Sequence, residues 1–233
     1  MLTMARPAAS NPFFRTWSPT MAYVLGYWWA DGYMRIHSNT GGHFVQIASI
    51  DIEHLQAIAD AMGATTALRQ VRKESTCHEM VICNQGLYHD LLNLGGIPNK
   101  SHVIGFPNVP TEYLVDFIRG FIDGDGTLVW NGDRPVIQIY SGSQQLLLET
   151  GRCIELMTGI PAPNISHNRN NYYIKWSTIR AKCLAIWLYH NNSLMLARKA
   201  AIAQQFEQWQ PKKSPERGTI TEKMRLHFAN YLP

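Results

Sequence analysis

The sequence predicts an α+β fold in which one αββαββα unit occurs twice in tandem, giving two antiparallel β-sheets and a pair of equivalent helices between them. Three observations carry this. Two apolar, glycine-containing helical segments lie 94 residues apart, from Gly26 to Gly120, and each stops at an Asp-Gly pair, Asp31-Gly32 and Asp125-Gly126. Each is followed by the same strand, turn, strand, helix order. The second strands also overlay without gaps at an offset of 92, Phe44 to Asp51 on Val136 to Ser143, both with Gln third and Ser sixth. A duplicated chain of this kind has pseudo-twofold symmetry.

The elements follow in order. Residues 1–18 form an arm rich in Pro, Ala and Ser. Ser18 suits an N-cap and Pro19 the first helical position, opening a helix that runs through Met21 to Asp31. Tyr33 to His37 alternates as a strand, with Arg35 and His37 on one parity and Met34 and Ile36 on the other. Ser38 to Gly42 is a turn, His43 to Ser49 a strand, and Asp51 caps a helix ending near Met62. Strands over 65–73 and 77–83 and a helix over 85–94 complete the first half, 19–96. A linker with three prolines, 97–110, precedes the second half, 111–210. There the pattern restarts with a helix from Glu112 to Asp125 and strands over Thr127–Asn131 and Pro135–Ser141. A helix capped by Ser143 runs to Met157, followed by strands near Asn164–His167 and Asn171–Ser177. Helices over Ile179–His190 and Ser193–Gln208 follow, and residues 211–233 form a basic tail.

Composition narrows the classes. Of the 233 residues 45% are hydrophobic, enough for a sizeable core, and the formal charge of +4 permits a nucleic-acid partner without demanding one. Cys77, Cys83, Cys153 and Cys183 form no CxxC pair and no zinc-finger spacing with histidine, so neither a zinc site nor a disulfide framework is expected. No apolar run approaches the roughly 20 residues of a membrane span, and the first residues lack a secretory signal. A soluble intracellular protein is the expectation, in a bacterial or phage cytoplasm or an organelle.

The paired helices carry the chemistry. Gly26 with Ala30, and Gly120 with Gly124, place small residues four apart on one helix face, so two such faces can approach closely. Asp31 and Asp125 then emerge side by side. A carboxylate at a helix C-terminus faces the negative end of the dipole, at roughly 0.3–1 kcal/mol, and two together repel. A hard divalent cation removes both penalties and suits metal-assisted phosphodiester hydrolysis. A single Asp-Gly reads as a turn; two equivalent copies read as a site.

The segments Val24 to Gly32 and Ile118 to Gly126 resemble the paired signature of the LAGLIDADG homing endonucleases, in the single-chain form with two motifs. The second segment matches closely. The first departs from it, with Trp29 where the second has Asp123. The resemblance spans roughly residues 20–207. It implies that the two sheets form saddles in successive major grooves of double-stranded DNA, with the motif helices at the interface. It also implies Mg2+ held by Asp31 and Asp125, with the backbone of Ala30 and Gly124 beside it; Mn2+ or Ca2+ would substitute for binding. Asp123 reads as capping or interface packing. The resemblance further implies a basic residue from each half beside the metals, here Lys100 and Lys199, with Arg198 the rival of Lys199. Ser49 and Ser141 either hold metal-bound waters or begin the turns into the following helices.

A sheet in a major groove needs polar side chains on one parity. The first half offers Arg35, His37, Asn39, Gln46, Arg69, Arg72, Lys73 and His78. The second offers Asn131, Arg134, Gln138, His167, Arg169 and Lys175. Val129 and Tyr173 share this parity, and Lys212, Lys213 and Arg217 in the tail add possible phosphate contacts. The expected activity is a monomeric Mg2+-dependent endonuclease that cuts both strands of a long asymmetric site and leaves short 3′ overhangs. The alternatives are an RNA maturase on the same scaffold and an inactive DNA-binding regulator. A self-splicing insert is not expected, because Ala-Asn-Tyr-Leu-Pro ends the sequence without a splicing residue.

Overall fold

The computed structural model describes residues 11–169, 171–190, 194–212 and 219–232. Helix α1 (Pro19–Asp31) starts where its cap dictates: Ser18 Oγ accepts from Met21 N at 3.1 Å, and proline occupies the first turn. Strands β1 (Gly32–Ile36) and β2 (His43–Ser49), helix α2 (Ile52–Ala61), strands β3 (Arg69–Gln70) and β4 (His78–Cys83) and helix α3 (Gln85–Asn93) complete the first repeat. The second repeat contains α4 (Leu114–Asp125), β5 (Gly126–Asn131), β6 (Arg134–Ser141), α5 (Gln144–Thr158), β7 (Ser166–Asn168), β8 (Asn171–Ser177) and α6 (Ile179–Tyr189). Helices α7 (Ala197–Gln208) and α8 (Glu222–His227) follow. The sheets are antiparallel and equivalent, ordered β1-β2-β4-β3 and β5-β6-β8-β7. This is the tandem αββαββα architecture, and the overlay of β2 on β6 holds in the pairing. Gln46 lies opposite Tyr33 and Val81, and Gln138 opposite Thr127 and Lys175.

The two repeats meet along α1 and α4, and the glycines explain how closely. A Cβ on Gly26 would lie 1.9 Å from the Phe117 carbonyl oxygen, and one on Gly120 would lie 2.0 Å from that of Tyr23. These are symmetry-equivalent contacts of backbone on backbone. The residues of α1 from Met21 to Trp29 are all buried, because this stretch of the helix is covered on all sides.

Several elements differ from the expectation. The strand expected over 65–73 contracts to Arg69–Gln70, and Arg72 and Lys73 lie in the turn before β4. Asp51 occupies the N-cap position of α2 without a side-chain capping bond, because its carboxylate is held by Arg198. The helix beginning at Thr111 opens as a 3-10 turn, Thr111–Tyr113. Helix α7 starts at Ala197; Ser193 lies outside the described residues. The C-terminal region is partly core: α8, capped by Thr221, buries Met224, and Phe228 beyond it is 2% exposed. Lys212 pairs with Asp133 at 2.7 Å, and Lys213 and Arg217 lie outside the described residues. Residues 1–10 of the arm are also outside them. Its remainder packs through buried Phe14 and an ion pair of Arg15 with Asp90. Among the described residues no helix is long and apolar enough to cross a membrane.

Candidate active site and nucleic-acid interface

Helices α1 and α4 deliver Asp31 and Asp125 to one place. Ala30 and Gly124 are the last close-packed pair: a Cβ on Gly124 would lie 2.3 Å from the Ala30 Cβ and 3.3 Å from Asp31 Oδ2. The carboxylates sense each other. Burial pushes the Asp125 carboxyl up to about 7, and the Asp31 charge adds to the push while Lys100 and Lys199 oppose it. Burial raises Asp31 too, against Lys100, Lys199 and Arg198.

Each helix end carries a buried lysine. Lys100 Nζ donates to the carbonyls of Trp29 at 2.6 Å and Ala30 at 2.7 Å, and lies 5.6 Å from the Trp28 ring. Lys199 Nζ donates to the carbonyls of Ile122, Asp123 and Gly126 at 2.6–2.7 Å. Both ammoniums therefore satisfy terminal helix carbonyls. Burial lowers each to about 8; Asp125 and Asp31 oppose this at Lys100, and Asp123 opposes it most at Lys199. Arg198, the rival of Lys199, is engaged elsewhere, making a bidentate contact with Asp51 at 3.0–3.1 Å that ties α7 to the first repeat. A cavity of about 180 Å3 opens between the halves, lined among others by Ala30, Lys100, Ser101, Asp125, Ser141 and Asn171. Asp125 thus faces the lysine of the other repeat.

Ser49 and Ser141 serve the turns. Ser49 Oγ accepts from Asp51 N at 3.1 Å and pairs with Tyr27 Oη at 3.0 Å; Ser141 Oγ accepts from Ser143 N at 3.1 Å. Ser141 also borders the cavity. The Ala30 carbonyl is already an acceptor for Lys100. Asp123 is 1% exposed and accepts from Tyr23 Oη, Tyr189 Oη and Leu196 N at 2.6–2.8 Å, which is the interface packing expected of it. Two converging carboxylates are a donor set that suits a hard divalent cation whose shell is completed by water and substrate phosphate. Among the described residues no group of three or more His, Cys, Asp or Glu gathers.

Pairing registers decide which side chains share the sheet faces away from the helices. In the first sheet these are Tyr33, Arg35, Phe44, Gln46, Arg69, Glu79, Val81 and Cys83. The Arg35 guanidinium lies 5.1 Å above the Phe44 ring. His37 and Asn39 sit at the β1–β2 turn, bonded to each other by Asn39 N to His37 Nδ1 at 3.3 Å. Glu79 was not anticipated: its two oxygens accept from Arg69 Nε at 2.8 Å and Gln46 Nε2 at 3.0 Å. In the second sheet the face holds Thr127, Val129, Asn131, Arg134, Gln138, Tyr140, Asn168, Tyr173 and Lys175.

Two assignments fall on the wrong parity. His78 pairs with Ser49 and Gln70, in step with buried Met80, and His167 pairs with Tyr172, in step with buried Ile174. Both alternate onto the helix side of their sheets. Arg169 occupies the β7–β8 turn with φ 54°, leaving Asn168 on the face. Thr127 opens the second sheet's outward parity and is legible from the start of its strand, whereas Asn168 and Glu79 join the faces only through the pairing of β7 and β4.

No family model matches the sequence. A stretch of 130 residues is 28% identical to a DNA-directed RNA polymerase subunit, Rpo1C, of Methanocaldococcus jannaschii, and covers 54% of this chain and 14% of that protein. An uncharacterized protein of the same organism is 22% identical over 134 residues, covering 53% of this chain and 46% of that one. The chain thus spans under half the length of these curated relatives. Among solved structures, I-DmoI in complex with DNA and Ca superposes with a TM-score of 0.57 at 16% identity, over 84% of this chain and 100% of that one. The LAGLIDADG meganuclease I-AabMI bound to uncleaved DNA gives 0.57 at 12% identity, over 82% and 89%. I-SmaMI bound to uncleavable DNA gives 0.55 at 12%, over 81% and 88%. With its two four-stranded sheets flanking one close-packed helix pair, the chain has the fold of the LAGLIDADG homing endonucleases.

Proposed function

We propose that the chain is a site-specific endonuclease that hydrolyses one phosphodiester bond in each strand of a long, asymmetric duplex DNA site, acting as a monomer and leaving short 3′ overhangs. The observation that carries the reading is the convergence of Asp31 and Asp125 at the ends of the packed helices, each site flanked by a buried lysine. Solved relatives of this fold include complexes with DNA and with Ca, Mn or Mg, which is consistent with a divalent-cation requirement here. Asp31 and Asp125 would hold the Mg2+, which when bound would supply Lewis-acid activation of the scissile phosphate and of the attacking water.

The chain's own residues supply the rest. The carboxylates give the cation its anionic ligands. Lys100 and Lys199 place positive charge beside the phosphate, and Lys100, whose ammonium gives two of its three N–H groups to carbonyls, keeps one to orient water. Arg35, Gln46, Arg69, Thr127, Gln138 and Lys175 present polar groups to base edges and phosphates. The two faces differ in chemistry, which favours an asymmetric target over a palindrome.

The test uses purified protein with Mg2+ on DNA carrying the sequence that flanks the gene. Asp31→Asn and Asp125→Asn should lower cleavage at least a hundredfold while retaining binding in Ca2+, and Lys100→Ala should slow single-turnover cleavage more than binding. Two Asp variants that still cut would rule out the metal assignment. Wild-type binding without cleavage would instead point to a regulator, and preferential binding of intron RNA to a maturase.

A further inference from the structure

Where the two motif segments differ most in chemistry, Trp29 stands against Asp123, and the structure gives both residues the same task. We infer that Trp29 and Asp123 are equivalent positioning residues, each holding the backbone segment that delivers the lysine of its own repeat to the helix end; the catalytic meaning of those lysines rests on the function proposed above. Trp29 Nε1 donates to the Gly105 carbonyl at 2.9 Å. Gly105 follows Ile104, which together with Val103 donates its N–H to the carbonyl of Lys100 at the start of the 3-10 turn Lys100–His102. Asp123 Oδ2 accepts from Leu196 N at 2.8 Å, and the Leu196 carbonyl accepts from Lys199 N at 3.0 Å. The backbone carbonyls of the same two residues receive the lysines, Trp29 from Lys100 and Asp123 from Lys199. One residue in each helix therefore grips the incoming segment with its side chain and the ammonium with its backbone.

The chemistry differs because the segments offer opposite partners. The linker presents a carbonyl oxygen, so the anchor must be a donor. The start of α7 presents an N–H, so the anchor must be an acceptor. The indole is 2% exposed and the carboxylate 1%, so neither anchor competes with water. Asp123 takes two further donors, the hydroxyls of Tyr23 and Tyr189, which neutralise the cost of burying its charge. The indole needs no such support, and rests its edge on the Phe117 ring 6.0 Å away.

Trp29→Phe removes the indole donor together with part of the buried ring, and Asp123→Ala removes the Leu196 acceptor together with the bonds from Tyr23 and Tyr189; Tyr189→Phe removes one of those bonds without touching the Leu196 anchor. Amine-reactive labelling read by peptide mass spectrometry reports lysine position without any need for activity. Labelling of Lys100 alone should rise severalfold in Trp29→Phe, and that of Lys199 alone in Asp123→Ala, with Tyr189→Phe like wild type at both. On strand-labelled target DNA, the first two variants should each slow cleavage of a different strand by about tenfold or more, since small misplacements of reacting groups are costly. Tyr189→Phe should keep the wild-type strand ratio even if its melting temperature falls. Labelling that rises at both lysines in either variant, or at neither, overturns the inference, as does equal slowing of both strands. Selective labelling combined with a wild-type protein that cuts no DNA leaves the anchors in place and removes the endonuclease reading alone.

Discussion

At the scale of single residues, the site is a balance between charge brought together and charge compensated. Asp125 is held with its carboxyl pushed up to about 7, chiefly by burial and then by Asp31, against about 3.9 in an unfolded chain. The folded state therefore binds a proton that the unfolded state releases over that window. The associated stability is fully present below about pH 4 and is lost as pH rises through 7. Denaturant titrations in EDTA should show the advantage of Asp125→Asn over wild type growing from pH 4 to 7 and then levelling; a pH-independent advantage would mean that Asp125 is not destabilised by its surroundings. The spacing of Asp-Gly pairs was enough to find both carboxylates. It could not show that Lys199 and not Arg198 reaches the helix end, because that depends on Asp51 of the other repeat holding the guanidinium.

At the scale of elements, the α1–α4 contact dominates. Its geometry leaves no room for a methyl group at Gly26 or Gly120, where a Cβ would overlap a carbonyl oxygen. Gly26→Ala and Gly120→Ala should each destabilise the protein by about 2 kcal/mol or more, the scale of overpacking a tight core. Gly105→Ala should be near neutral, since no atom lies within 4 Å of a Cβ there. Midpoints of chemical denaturation check all three, and a Gly26→Ala protein as stable as Gly105→Ala would contradict the close approach. Helix starts were legible from two of the three expected caps: Ser18 and Ser143 make their capping bonds, and Asp51 does not. Short edge strands were not. Residues 65–73 alternate well enough for a strand, yet only Arg69 and Gln70 enter the backbone ladder with β4. Helix α8 leaves little local signal, because its few apolar residues gain meaning only from the surface of α5 they cover.

At the scale of the whole molecule, duplication supplies two similar frames with different chemistry on their faces. The first carries an acidic centre, Glu79 with Arg69 and Gln46; the second places Lys175 beside Gln138. Glu79 keeps lone pairs for a base amino group such as that of cytosine. Glu79→Gln should change base preference by about tenfold within one half-site only, and Lys175→Ala should act within the other. Binding to a library of single-base target variants checks this, and changes spread over both half-sites would show that the faces do not read separately. The amino-acid sequence by itself determined the repeat, the helix and strand order and the two aspartates, because periodicity, caps and Asp-Gly stops are local. Only the tertiary structure decided which parity of each strand faces away from the helices, which basic residue meets each helix end, and why Trp29 can stand where Asp123 stands. The last two choices depend on partners 70 or more residues away in the chain, and a local pattern carries no information about them until the two repeats are packed together.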